Sequence, residues 1–216
     1  MKTQKIIPLL IAAFVLLLVK VSMATDKYAE SMQKNIQAVY NAQTIPDLQN
    51  AVNAFERIGS AEKTKWEPFY YASFGYIMMA TREPDKTKKD TYLDQALAAV
   101  EKAKELVPNE SEVIALEGFV HMLRINIDPA ARGQKYSSLA YQSYGKAKAL
   151  NPENPRALAL LAQMQYGTAQ FFNSSTGEAC GTNSSALEKF ATFKSDNPLA
   201  PQWGKRMAEE LNEECE

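Results

Sequence analysis

The sequence predicts an all-α fold, a solenoid of about four antiparallel helix pairs closed by a C-terminal capping helix. Apolar residues recur at i, i+3, i+4 and i+7 through nearly all of the chain after residue 24, which is the helical period. No stretch shows the convincing alternation that is typical of strands. A pattern of alanine, bulky and proline positions also repeats along the chain, and a second helical pattern precedes its later copies, as in stacked helix pairs.

The repeated pattern is alanine, a bulky residue at +4, a small or bulky residue at +7, and a proline five residues later. Positions 0, +4 and +7 share one helical face, where alanine allows a neighbouring helix to approach closely. The proline ends that helix and favours the start of the next. The copies are Ala96, Val100, Ala103 and Pro108; Ala140, Tyr144, Ala147 and Pro152; Ala186, Phe190, Phe193 and Pro198; and, without the proline, Ala51, Phe55 and Ile58.

The helix that precedes each later copy has a small residue in the middle of its apolar face. Gly75, Gly118 and Ala162 hold this position in the three pairs. A small residue there predicts a close helix crossing. With capping residues and prolines as boundaries, the predicted helices cover 27–42, 46–59, 64–82, 91–106, 111–126, 135–149, 155–171, 185–195 and 202–214. Loops are expected within the pairs at 82–90, 127–134 and 172–183.

These residues resemble the tetratricopeptide repeat (TPR) family, whose helix–turn–helix units have this spacing and a closing proline. The prolines at 108, 152 and 198 are 44 and 46 residues apart (152 − 108 and 198 − 152), where the family repeat has about 34. The chain is also similar to exported bacterial TPR-like proteins in its Asp-Pro-x2-Arg-Gly-Gln segment (128–134) and its Pro-Leu-Ala-Pro-x-Trp-Gly segment (198–204). The resemblance implies a helical repeat fold and export, and no particular activity.

Residues 1–24 have the order of a secretory signal peptide. Lys2 and Lys5 precede an apolar run, and small residues lead to a predicted cleavage after Ala24. The expected mature chain is one TPR-like domain, 25–216, in the periplasm or outside the cell, with no integral membrane span. A retained membrane anchor is the alternative, although the run is shorter than the ~17–25 residues of a membrane-spanning helix.

Composition argues against several function classes. Loss of residues 1–24 removes three of 24 basic residues and none of 25 acidic ones, which leaves 21 against 25, a net charge of −4. A weakly acidic chain is not expected to bind nucleic acid. One histidine and two cysteines cannot form a usual four-ligand His/Cys zinc site. We therefore expect no enzyme, no metal and no cofactor.

Two polar residues in the repeats invite a functional interpretation. His121 lies where the repeat usually buries a bulky side chain, so a core position is expected rather than a catalytic one. Arg132 lies in the predicted 127–134 loop, where a salt bridge to Asp128 or to a helix carboxylate is expected rather than ligand binding.

The two cysteines predict a disulfide. Cys180 precedes the helix predicted at 185–195 and Cys215 follows the antiparallel helix at 202–214, so both lie at the same end of this hairpin. An even pair in an exported chain favours the bond. Two free thiols in a reducing setting are the alternative.

An aromatic cluster around residues 66–76 is too dense to be all core. If Tyr71, Phe74 and Met78 pack between helices, the other face points to the concave groove, where it would bind a peptide or protein partner. The interior of the superhelix is the alternative location. The groove candidates on three successive units are Phe69, Tyr76, Met79, Phe119, Met122, Arg156, Gln163 and Tyr166.

The function hypothesis is a non-catalytic, exported adaptor that binds a protein or peptide partner in its groove. The first alternative is a small-ligand-binding protein or an enzyme whose pocket is closed by the loops around Arg132 and His121. The second is a structural subunit of an envelope complex. The fold alone does not choose among them.

Overall fold

A computed structural model describes residues 27–216, which form helices joined by short turns and by one longer linker before the last helix, with no strand among them. The predicted signal segment, 1–24, lies outside the described residues. The helices are α1 (27–41 within this range), α2 (Ile45–Ala61), α3 (Glu67–Arg82), α4 (Lys86–Leu106), α5 (Ser111–Ile125), α6 (Pro129–Leu150), α7 (Pro155–Phe171), α8 (Gly177–Thr192) and α9 (Lys205–Cys215). The predicted all-α repeat fold is confirmed.

The helices stack in two layers. Helices α3, α5, α7 and α9 contact one another in that order and form the inner layer. Helices α4, α6 and α8 each pack on the inner helix before them and on the one after them, which gives an outer layer. Neighbours in the chain are therefore neighbours in space, as in a helical repeat protein.

The repeat alanines form the contacts within each pair. Ala96, Ala140 and Ala186 have no exposed surface, and Val100 and Tyr144, four residues after the first two, are equally buried. Two glycines mark the predicted close crossings. A Cβ atom on Gly75 would overlap the Val52 side chain of α2, and one on Gly118 would overlap the Tyr144 ring of α6.

Three helices begin earlier than predicted. Asp85 caps α4 by accepting a hydrogen bond from the Lys88 backbone N–H, and Asp128 caps α6 in the same way ahead of Pro129. With α8 beginning at Gly177, most of the segments 82–90, 127–134 and 172–183 are helical. The residues beyond the 34-residue repeat therefore lengthen α4, α6 and α8 instead of forming loops.

The linker between α8 and α9 is non-helical. Asn197 to Ala200 make a turn, in which the Ala200 N–H donates to the Asn197 carbonyl at 3.0 Å. The chain then runs irregularly to Trp203, and Gly204 precedes α9 with φ 103°, a left-handed conformation that glycine adopts readily. We call residues 197–203 the C-terminal strap.

Candidate functional site

The C-terminal strap lies across the inner face of the solenoid. Its Leu199, Ala200 and Pro201 are buried, and its side chains and backbone contact α1, α3 and α5. The groove that the sequence analysis assigned to a partner is therefore occupied, in part, by the chain itself.

Trp203 is the central side chain of this contact. Its indole stacks on Phe74 of α3, with ring centroids 5.0 Å apart and planes inclined by 22°. It also stacks on Phe119 of α5 at 6.0 Å and 23°. The indole Nε1 donates a hydrogen bond to the Tyr70 hydroxyl at 2.9 Å. The stacking buries the apolar faces of the indole, and the hydrogen bond pairs its one polar group.

Two tyrosines bond to the strap backbone. The Tyr71 hydroxyl donates to the Leu199 carbonyl at 2.7 Å, and the Gln202 backbone N–H donates to the Tyr40 hydroxyl at 3.0 Å. Burial raises the pKa of both phenols above the ordinary value. They therefore remain neutral near pH 7, with one O–H donor each.

A buried ion pair lies beneath the strap and joins α5 to α7. Arg156 donates from Nε and Nη2 to the Glu112 carboxylate over 2.7–2.9 Å. Its guanidinium lies 4.4 Å from the centre of the Phe193 ring. Burial alone would lower the pKa of Arg156, but the hydrogen bonds and charge of Glu112 outweigh that effect and raise it. Arg156 therefore stays charged, as an internal ion-pair partner.

The eight groove candidates do not share one surface. Phe119 stacks on Trp203 of the strap, and the Arg156 guanidinium lies over the Phe193 ring. The Tyr76 hydroxyl donates to Glu56 of α2, and the Met122 sulfur accepts from Tyr144 of α6. Gln163 and Tyr166 donate to backbone carbonyls of α9. The buried members are Tyr76, Met79, Phe119 and Arg156, and the half-buried ones are Phe69, Met122, Gln163 and Tyr166.

The face assignment of α3 differs from the sequence prediction. Phe74, predicted to pack between helices, turns to the strap, and Tyr76, predicted to face the groove, turns to α2. Tyr40, Tyr70 and Trp203 are not among the predicted site residues, although all three contact one another or the strap. The two prolines at 198 and 201 were the available signal, because they exclude a helix from this linker.

The two polar residues singled out in the sequence are structural. Arg132 makes two hydrogen bonds of 2.7 Å to the Asp90 carboxylate of α4, which confirms the predicted bridge to a helix carboxylate. His121 is 8% exposed and stacks on Tyr136 at 6.1 Å, which confirms its expected core position. Burial lowers the pKa of His121.

Cys180 of α8 and Cys215 of α9 lie at disulfide-bonding distance, with Sγ atoms 2.06 Å apart. This confirms the predicted pairing. The bond closes a segment that contains the whole strap, so both ends of the strap are fixed to the same helical hairpin.

A second surface feature lies at the end of α7. Phe171 and Phe172 are each 70% exposed, and their ring centroids lie 5.0 Å apart at 90°. Residues 157–177 around them contain no charged side chain. Exposed neighbouring aromatic rings in an uncharged stretch are typical of a binding surface.

Within residues 27–216, no group of three or more His, Cys, Asp and Glu side chains has an arrangement that could hold a metal ion. None of the helices in this described part has the length and apolar character needed to span a membrane.

Solved structures similar to the chain include a haemophore and a TPR protein. The HusA haemophore from Porphyromonas gingivalis has a TM-score of 0.78 and 25% sequence identity, and the match covers 88% of this chain and 92% of that one. TTC0263, a thermophilic TPR protein of Thermus thermophilus, has a TM-score of 0.56 and 19% identity over 89% and 94% of the two chains. No protein-family model matches the chain, and no curated protein is a significant sequence match.

Proposed function

We propose that this chain is a non-catalytic binding scaffold that takes a protein or peptide partner on its inner face. One observation carries the proposal: the inner face already accommodates a non-helical chain segment, the strap, by aromatic stacking and by hydrogen bonds to its backbone. Those are the contacts by which grooves recognise peptides. The TPR-like fold supports a scaffold of this kind.

The partner would contact the half-buried groove candidates of the inner helices. Met122, Gln163 and Tyr166 keep part of their surface in solvent, and Phe69 lies on the same layer at the start of α3. Buried Tyr76, Met79, Phe119 and Arg156 would act indirectly, by holding the inner helices and the strap in place.

Tyr166→Ala tests the proposal, with Tyr92→Ala as its matched control. Both tyrosines are half-buried, but Tyr92 belongs to the outer helix α4. In a pull-down from the native organism, followed by mass spectrometry, the wild type and Tyr92→Ala should retain the same dominant partner. Tyr166→Ala should lose most of it while keeping its melting temperature. Equal capture by all three chains would remove the inner face from the proposal.

We also propose that the chain is exported and that residues 1–24 are its signal peptide. The disulfide supports this, because such bonds persist in oxidising compartments and are rare in the cytosol.

A second candidate function is the binding of a planar aromatic ligand such as a porphyrin. Two observations favour it, the likeness to a haemophore and the exposed Phe171–Phe172 pair, whose rings offer a stacking platform.

A haemin titration followed by the Soret absorbance tests this candidate. The double variant Phe171→Ser, Phe172→Ser should bind at least about tenfold more weakly if the pair supplies ~1.4 kcal/mol of stacking. Leu150→Ser, at a 39% exposed apolar residue at the end of α6, is the control and should bind as the wild type does. Identical titrations of all three chains would exclude the aromatic pair as the site.

A further inference from the structure

We infer that the inner face is a recognition site for a short non-helical segment of the form Pro-x-Trp, and that a partner carrying such a segment takes the place of the strap. This inference rests on the proposed function and names the class of partner. In the folded chain, Pro201-Gln202-Trp203 of the strap is such a segment, supplied by the chain itself.

The slot between Phe74 and Phe119 selects tryptophan over other aromatic residues. Both rings lie nearly parallel to the indole, at 22° and 23°, so any flat side chain could stack there. The Tyr70 hydroxyl adds an acceptor 2.9 Å from the indole Nε1. Phenylalanine has no donor for it, and tyrosine has its hydroxyl in a different position.

The Tyr70 hydroxyl, which accepts the indole hydrogen bond, is itself held by a carboxylate. The Tyr70 hydroxyl donates its own proton toward Glu112 Oε2 at 3.4 Å, so its lone pairs face the indole. Glu112 is fixed in turn by the Arg156 guanidinium. A binding group supported by a second set of buried hydrogen bonds is preorganised for its ligand.

Two hydrogen bonds to the strap backbone fix the register of the segment in the slot. Tyr71 donates to the carbonyl of the residue four positions before the tryptophan, and Tyr40 accepts from the N–H of the residue just before it. Between them lies Pro201, which is buried and has no N–H to satisfy. A partner segment therefore needs proline two positions before its tryptophan.

The tethered strap competes with any partner segment. It is held at both ends, so its effective concentration at the slot is of the order of millimolar. A free segment binds only when the strap has left, and its apparent Kd rises by the inverse of that open fraction. Trp203 is only half-buried, so displacement can begin from its exposed edge.

The test uses a fluorescein-labelled peptide of the strap sequence, Asn-Pro-Leu-Ala-Pro-Gln-Trp-Gly, and fluorescence anisotropy. Trp203→Ala in the full chain empties the slot while Tyr70, Phe74 and Phe119 remain. The peptide should bind this variant at least about tenfold more tightly than the wild type. A peptide with alanine for tryptophan should not bind, and one with phenylalanine should bind more weakly than the original.

A second variant guards against unfolding of Trp203→Ala. A protease site at the exposed residues 194–196 allows the linker to be cut before the strap, while the disulfide keeps the cut segment attached. Circular dichroism verifies that each variant is folded. The cut strap is then tethered at its C-terminal end only, so the peptide should bind the cut chain more tightly than it binds the wild type.

A folded, emptied chain that does not bind the peptide overturns the inference. So does unfolding of both variants, because the strap is then part of the core and cannot be exchanged. If Tyr166 is still needed for partner capture in either case, the proposed function stands without this inference.

Discussion

Arg156 and Glu112 form an ion pair that joins the inner helices α5 and α7 beneath the strap. Arg156 is 1% exposed, and both of its hydrogen-bonding nitrogens lie within 2.9 Å of the carboxylate. Asn154 extends this link, because its side chain caps α7 and donates to Ser111 of α5. The junction between the α5–α6 and α7–α8 pairs is thus a buried polar network.

Removing one member of this pair should be strongly destabilising. Glu112→Gln leaves the Arg156 charge buried without its counter-charge, so we expect a loss of about 3–5 kcal/mol in the free energy of unfolding. Glu209→Gln breaks the exposed pair with Lys205 and should cost less than about 1 kcal/mol. Urea unfolding measures both. Equal losses would mean that burial of the Arg156 pair adds nothing.

The disulfide should stabilise the cap rather than create it. Its two cysteines are 35 residues apart, for which the chain-entropy model gives about 3–4 kcal/mol. The double variant Cys180→Ser, Cys215→Ser should therefore unfold at lower urea concentration and keep its helical circular dichroism. The reduced wild type is the control and should match it. Loss of helical signal without denaturant would contradict this prediction.

Buried tyrosines should make the chain sensitive to alkali. The pKa is raised above its ordinary value, chiefly by burial, for Tyr28, Tyr40, Tyr70, Tyr71, Tyr76 and Tyr144. For Tyr76 it rises to about 12. Because the folded state favours the neutral phenol, this contribution is complete below about pH 10, the unfolded pKa, and is lost as the pH rises further.

The tyrosinate absorbance at 295 nm measures this effect. The six shifted tyrosines should ionise only as the helical circular dichroism is lost. In 6 M guanidinium chloride all ten should titrate together. A single transition near pH 10 in the native chain would show that the six are not protected.

Export predicts a new amino terminus. If residues 1–24 are removed after Ala24, intact mass spectrometry of the protein from its native organism should give a chain that begins at Thr25. A chain that keeps Met1 and sediments with membranes would favour the retained anchor instead.

Trapping thiols with iodoacetamide before reduction should leave both cysteines unmodified.

The sequence predicted the helix pairs well and three helix starts poorly. The period and the prolines identify pairs because each inner and outer helix must bury one face against its neighbour. The missed starts of α4 and α6 have ordinary N-terminal signals. Asp85 is the N-cap of α4 and accepts from the Lys88 N–H, and Asp128 is the N-cap of α6 and is followed by proline at the first helical position.

The site was harder to predict for two physical reasons. In α3 every residue from Tyr70 to Ile77 is buried, so the helical period cannot show which face meets which neighbour. The strap contacts also join residues far apart in sequence, such as Tyr70 and Trp203, 133 positions apart. Nothing in local periodicity records such a pairing, and only the packed structure places the indole on the inner face.

The glycines of the helix crossings provide the final prediction. A Cβ atom at Gly118 would overlap the Tyr144 ring, which has no exposed surface and is enclosed by neighbouring side chains. Gly118→Ala should therefore force α5 and α6 apart and cost about 1–3 kcal/mol. Gly145 is the matched control, since it lies within α6 and is exposed. Apart from its chain neighbours and the nearby helix backbone, nothing lies within 4 Å of the position that an alanine methyl group would take.

Gly145→Ala should change the free energy of unfolding in the opposite direction and stabilise the chain. Alanine lowers the backbone entropy of the unfolded chain and favours the helix, so a gain of about 0.5–1 kcal/mol is expected. Thermal and urea unfolding of the two variants decide the matter. If Gly118→Ala were as stable as Gly145→Ala, the Tyr144 ring would have room to move, and close packing between α5 and α6 would not require glycine at position 118.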